Sequence, residues 1–503
     1  MPDARSAYAE LLARSKKRSV FGSLGSLLGW DQRTYMPKAG SAHRSDQLAL
    51  VAGMSHEMAT DPRIGELLAI AEASDLVNDP LSDAAVNLRE WRRGYDQATK
   101  LPQALVEALS RTSSKAYDVW VDARKANDFA AFKPFLEEMV KLCREKADAL
   151  GWKEQRYDAL LDLYEPDAKT REVQALFEPL QRELADLIRR VVATGKRAEP
   201  GILENDYPVA VQERFCAESA RAIGFDFDAG RLDVTTHPFC STIGPGDVRL
   251  TTRYDPRCAW SALYGTLHEA GHGLYNQGLD PEHRGTPRGA SVSLGIHESQ
   301  SRMWENLVGR SRAFWQFFLP RAQTAFPVLK GKSLDAMVFA ANESKPSLIR
   351  VEADEATYNL HIILRFRLEI DLIEGRLKPA DVPGAWKSTM KELLGVDVPD
   401  DRRGCLQDVH WSGASFGYFP TYALGNLYAS QFLEQAKSEI GDLDPLFAKG
   451  EFRPLLDWLR LKIHRPGKTR RAGPLCQHLT GKPLSHQPLM RHLNSKLGAL
   501  YNL

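Results

Sequence analysis

Apolar residues recur at three- and four-residue spacing from Ala7 to about Ala193, so this part of the chain reads as a succession of helices. Asp61-Pro62, Asp79-Pro80, Leu101-Pro102 and Glu165-Pro166 punctuate it, because a proline ends or starts a helix and restrains the residue before it. Leu105, Val106 and Leu109, and later Phe135, Leu136, Met139 and Leu142, form apolar faces backed by charged residues, with no fixed-period repeat. Trp30 to Pro37 sets polar residues among aromatics at a helix end and reads as a packed corner. Lys196 to Tyr207 carries Pro200 and Gly201 and connects this half to the next, which opens with a helix ending near Gly224.

The pattern then changes. Leu232 to Thr236 and Val248 to Tyr254 are β-branched and partly alternating, with Pro238, Gly244, Pro245 and Gly246 between them, which predicts a small antiparallel sheet whose second strand could offer an edge to an extended peptide. That strand runs straight into a helix predicted from Asp255, an N-cap followed by Pro256 at the first helical position, to Gly278 as a left-handed end. Ala259, Leu263, Leu267, Ala270 and Leu274 give this helix one apolar stripe. A second helix is predicted over Ser291 to Gly309, and helical pattern returns through Phe318 and over Ser333 to Glu343. Ser347 to Gly375 carries Arg350 at the start of a long amphipathic helix. Gly404 to Trp411 and the Gly- and aromatic-rich Gly413 to Gly425 read as loop near chemistry, and His464 to Arg471 as a solvated basic face within a helical C-terminal part.

Length changes this picture little. The 503 residues could fill two or three average domains, yet no flexible linker divides them, so the expectation is one domain over 1–503, with 1–195 as helical scaffold and 196–503 as the catalytic half. Lys plus Arg number 66 against 65 Asp plus Glu, so no global field favours nucleic acid or an anionic membrane. No apolar run approaches the roughly 20 residues of a membrane span, and the start lacks a basic, apolar and small-residue leader, which places the protein in the cytoplasm by expectation. The six cysteines stand singly, without a C-x-x-C pair, and read as reduced core residues; Cys240 and Cys405 lie close to candidate motifs.

Chemistry enters with His268-Glu269-Ala270-Gly271-His272. At about 100° per residue the two histidines lie about 40° apart in projection and one turn apart, so both imidazoles can reach one metal ion. Glu269 points elsewhere but can reach a water at the metal's open position and serve as general base. Catalytic zinc normally takes three protein ligands, and the following helix supplies Glu298, with His297 and Glu305 as competitors for the third place. Gly271 in mid-helix suggests close packing. Beyond Gln407, the residues His410, Tyr418 and Tyr422 offer donors for a developing oxyanion, with His410 and Tyr422 favoured.

Together with that motif, His237-Pro238-Phe239, Asp247-Val248-Arg249-Leu250-Thr251, His297-Glu298-Ser299-Gln300, Ile349 to Asp354 and Gly404 to Trp411 make the whole chain resemble the carboxypeptidase Taq family of metallocarboxypeptidases. The resemblance implies a mainly α, saddle-shaped or clamshell subunit with a deep groove. It implies a homodimer that removes single residues from free peptide C-termini, using one zinc ion per subunit that cobalt can replace. It also supports His268, His272 and Glu298 as ligands and Glu269 as base, and marks His237 and Tyr418 as substrate-binding candidates. An enzyme acting only at C-termini must hold a carboxylate, which the planar fork of arginine matches with two parallel hydrogen bonds. Arg350 is the expected clamp and Arg249 the runner-up; the bland alternative pairs Arg350 with Asp354, four residues on. A zinc endopeptidase or aminopeptidase sharing the metal site, or a peptide-binding protein without turnover, remain as other readings.

Overall fold

The computed structural model describes residues 3–503. Helices dominate, and of the predicted breaks Pro62 and Pro102 stand at helix starts, while Pro80 and Pro166 lie in turns ahead of Asp83–Lys100 and Thr170–Ala193. Pro62 stands at the first position of Pro62–Glu72, where Asp61 accepts a hydrogen bond from the Arg63 amide. Ser82 caps Asp83–Lys100, and Pro102 precedes Gln103–Ala126. Two hydrophobic cores result among the described residues. A small one joins Ala7, Leu11, Leu67, Leu68, Ala71, Leu88 and Trp91 within the N-terminal helices, and the helix Ser41–Thr60 buries no residue at all. The main core runs without interruption from Ala116 to Tyr501.

The sheet differs from expectation. Its strands are β1 (Gly230–Val234), β2 (Cys240–Gly244) and β3 (Asp247–Thr252), in the order β1-β3-β2. β2 and β3 are antiparallel, but β1 and β3 pair in parallel with Leu232 opposite Leu250, so the sheet is mixed rather than antiparallel. The reason is the strand Cys240–Gly244, whose short Cys-Ser-Thr-Ile-Gly run shows no clear alternation; the chain reverses through it before β3 forms. β3 is therefore central, with both edges paired, and cannot itself accept a peptide strand.

From β3 the chain enters the helix Ala259–Gly278. Its start lies later than predicted, because Asp255 spends its carboxylate on the Arg257 amide in a turn that closes by an Asp255–Cys258 bridge. Gly278 is helical and not left-handed; a side chain there would strike His464, whose ring nitrogen lies 2.3 Å from the position of a Cβ. His464 is fully buried, so the run from 464 to 471 is not simply a solvated face. The next helix, Leu294–Arg302, is capped by Ser293 and passes into a π-helical turn, Met303–Val308. Arg350 lies on a short 3-10 turn, Arg350–Glu352, ahead of the helix Thr357–Glu374 rather than at its start.

Candidate active site

Two close helix contacts assemble the site. Gly271 lets Ala259–Gly278 touch Leu294–Arg302, because a Cβ there would sit 2.5 Å from the Gln300 carbonyl oxygen and 2.6 Å from Ser301 Cα. Gly425, on the helix Pro420–Ile440, makes room for Glu298, whose Cγ would lie 2.5 Å from an added Cβ. A methyl group at either position would meet backbone or a ligand candidate.

Between these helices one donor atom from each of His268, His272 and Glu298 converges, all within 4.8 Å of one another. Glu298 Oε2 stands 3.7 Å from His268 Nε2 and 3.5 Å from His272 Nε2. The other ring nitrogens are engaged elsewhere. His268 Nδ1 donates to Glu305 Oε2 at 2.8 Å, and His272 Nδ1 meets His297 Nδ1 at 2.5 Å. His297 is turned by its second nitrogen toward Asn276 Oδ1 at 3.2 Å. Each histidine thus presents Nε2 to a common point while a neighbour fixes its tautomer, the arrangement that orients metal-binding imidazoles. Two imidazoles and a carboxylate suit a divalent cation. The competitors His297 and Glu305 stand one layer behind, each against a histidine.

Electrostatics follow from burial. Burial alone would lower the His268 pKa, but Glu298 and Glu305 outweigh it and raise it to about 9 without a cation. Burial opposes ionisation of Glu305, yet Arg302 and His268 hold it down at about 2, and Arg302 with the two histidines holds Glu298 well below the usual carboxylate range. Glu269 is 7% exposed and is shifted the other way: burial raises its pKa, while His268 and His272 pull against the rise. A carboxylate of weakened acidity, close enough to His268, His272 and Glu298 to feel their charge, has the character of a proton acceptor.

A second cluster carries Arg350, His410, Tyr418 and Tyr422. Arg350 does not pair with Asp354. Its Nε and Nη2 both donate to Asp408 Oδ1, at 2.9 and 2.8 Å, and its Nη1 donates to the Tyr358 hydroxyl at 3.1 Å. Asp354 instead accepts hydrogen bonds from Ser344 and from the first turn of Thr357–Glu374. Asp408 is shared, because Arg365 Nε donates to its Oδ2 at 2.6 Å. The His410 Nε2 lies 3.4 Å from the Tyr422 hydroxyl, and burial lowers the His410 pKa to about 4 against the pull of Asp408, so the ring is neutral near pH 7. Tyr418 and Tyr422 lie near enough to Glu298 for its charge to raise their pKa values, on top of the larger effect of burial.

The runner-up Arg249 pairs through two nitrogens with Asp247 and stacks on Trp30, 4.1 Å from the ring centre. That contact gives the aromatic corner a purpose: Trp30 and Tyr35 dock the helix Ala4–Thr34 on the sheet, with the Tyr35 hydroxyl donating to Asp233 at 2.6 Å. His237 is exposed in the bend between β1 and β2. Sequence reasoning missed Arg302, Arg365 and Tyr358. Arg302 had one signal, its place four residues after Glu298; Tyr358 had none, because its two arginine partners come from different elements.

The chain matches the sequence profile of the carboxypeptidase Taq (M32) metallopeptidases over residues 10–497. It is similar to thermostable carboxypeptidase 1 of Thermus thermophilus, with 50% identity covering 98% of this chain and 99% of that protein. Among solved structures it resembles the M32 carboxypeptidase of Deinococcus radiodurans, at 37% identity and a TM-score of 0.96 over 99% of this chain and 100% of that one. It also resembles the carboxypeptidase of Pyrococcus furiosus, at 35% identity and a TM-score of 0.95 over 98% and 99% of the two chains.

Proposed function

Because the chain belongs to the carboxypeptidase Taq (M32) metallopeptidase family, and is a metallocarboxypeptidase acting on peptides, we propose that His268, His272 and Glu298 hold its metal and that Glu269 is the general base. The observation that carries this reading is the convergence of those three donor atoms beside a buried carboxylate of raised pKa. We further propose zinc as the resident ion, replaceable by cobalt, one per subunit, in a cytoplasmic homodimer. When bound, such an ion supplies a Lewis acid that polarises the scissile carbonyl and acidifies water.

The residues do the rest. Glu269 takes a proton from the attacking water and passes it to the leaving amine. Neutral His410 and the Tyr422 hydroxyl donate to the oxygen on which charge develops. Arg350 receives the terminal carboxylate of the peptide. Two buried guanidinium groups, Arg350 and Arg365, face the single carboxylate of Asp408, and this excess of positive charge favours an incoming anion at the site. Arg249, held by Asp247 and Trp30, and exposed His237 are left as contacts for the peptide further from the bond.

The experiment uses one short peptide in three forms: free, N-acetylated and C-terminally amidated. Mass spectrometry should show stepwise shortening from the C-terminus of the first two and little reaction of the amide. Equal cleavage of the amide would remove the carboxylate clamp from the account. In parallel, Glu298→Gln should lose stoichiometric metal, and retention would remove Glu298 from the ligand set.

A further inference from the structure

We propose that Arg302 is a positioning residue that fixes Glu298 as a one-oxygen ligand and so keeps a coordination position open for the reaction. This rests on the reading that His268, His272 and Glu298 hold the metal. Arg302 Nε donates to Glu298 Oε1 at 2.7 Å, while Glu298 Oε2 is the oxygen that faces both histidine Nε2 atoms. Ser301 also touches Oε2 at 3.2 Å, but its hydroxyl lies closer to the backbone oxygen of Glu298, at 2.8 Å. A carboxylate with both oxygens free can close on a cation with two bonds and occupy the place that water and substrate carbonyl require. Oε1 keeps a second lone pair, but the charge-assisted hydrogen bond from Arg302 would have to weaken or bend for it to join Oε2 on the same ion, so the one-oxygen mode is favoured.

The same side chain steers a second ligand. Arg302 Nη1 donates to Glu305 Oε2 at 3.0 Å, the oxygen that accepts from His268 Nδ1. One planar cation therefore braces Glu298 directly and His268 through Glu305. Its position is determined from the far side as well, because its guanidinium carbon lies 4.2 Å from the centre of the Tyr358 ring. The Tyr358 hydroxyl in turn receives Arg350, so a single ring separates Arg302, which braces the metal ligands, from the residue that receives the substrate carboxylate. Lysine at 302 keeps the charge but cannot serve two carboxylates in fixed directions from one plane.

X-ray absorption on the zinc-loaded wild-type protein is the first test, with one carboxylate oxygen from Glu298 expected at about 2.0–2.2 Å. Two Glu298 oxygens in the coordination shell overturn the proposal, whatever the variants do. The second test is Arg302→Lys, followed by metal titration and the visible spectrum of the cobalt-loaded protein. Metal affinity should fall about 10–100-fold, and the cobalt bands should weaken as the coordination number rises. The unfolding midpoint of the metal-free variant shows separately whether the fold is kept. A folded Arg302→Lys that binds metal and absorbs as wild type overturns the proposal, provided Glu298→Gln loses metal. If Glu298→Gln keeps its metal, the ligand assignment fails first.

Discussion

Asp408 is one anion between two buried cations, and Arg350 holds it with two nitrogens on a single oxygen. That geometry leaves the remaining N–H groups of Arg350 without a carboxylate of their own, which is the basis for assigning them to the substrate. Arg350→Ala should keep its metal and lose most of the preference for free peptide over the amide, by about 10–100-fold, since a charge-assisted hydrogen bond contributes about 1.5–3 kcal/mol. Unaltered preference would transfer the role to Arg249. His410→Ala should lower kcat by about a hundredfold with little change in KM, as expected for a donor used mainly in the transition state; a change confined to KM would make it a binding residue. Residues on one helix face were legible in the sequence, because periodicity alone brings His268 and His272 together. Partners across elements were not: the motif around Arg350 was visible, but nothing in local spacing chose Asp408 over Asp354.

Elements meet at this site through what they lack as much as through what they carry. Gly425 stands where the helix Pro420–Ile440 crosses Leu294–Arg302, with the Glu298 side chain in the space that any other residue would fill. Gly425→Ala should cost about 1–3 kcal/mol of stability by overpacking and, more tellingly, weaken metal binding by displacing Glu298. Metal titration checks this, and wild-type affinity in the variant would show that Glu298 does not depend on the crossing. The π-helical turn Met303–Val308 matters similarly, because it follows directly on Arg302 and carries the Glu305 that meets His268. Sequence pattern gave the two helices but continued the second unbroken to Gly309, since an added residue in one turn barely disturbs apolar spacing. Two of the three strands were legible, but β2 and the parallel pairing of β1 with β3 were not, because β2 has too little alternation to announce a strand or a reversal.

At the scale of the whole molecule, the main core unites residues on both sides of position 195, and the buried Glu165 carboxylate adds a polar link between them. It accepts from Ser293 Oγ at 3.0 Å and from the Gly295 amide at 2.9 Å, at the start of the helix that carries Glu298. Burial raises its pKa from 4.5 to about 7, against both hydrogen bonds, so folding favours its protonated form. The stability it contributes is complete below about pH 4.5 and is lost as pH rises toward 7. Glu165→Gln should flatten that part of the stability profile in denaturant titrations, and an unchanged slope would contradict the shift. Light scattering should give about twice the chain mass of 56.3 kDa; the mass of one chain would refute the homodimer. Periodicity in the sequence could not reveal this long-range order, which depends on contacts between segments far apart in the chain. Catalysis here turns on Glu269 as a base that is not a ligand. Metal content and turnover of Glu269→Gln, measured on the same sample, test this directly: one metal per chain is expected, with turnover reduced at least about a hundredfold. Near-normal turnover, or loss of the metal, would contradict it.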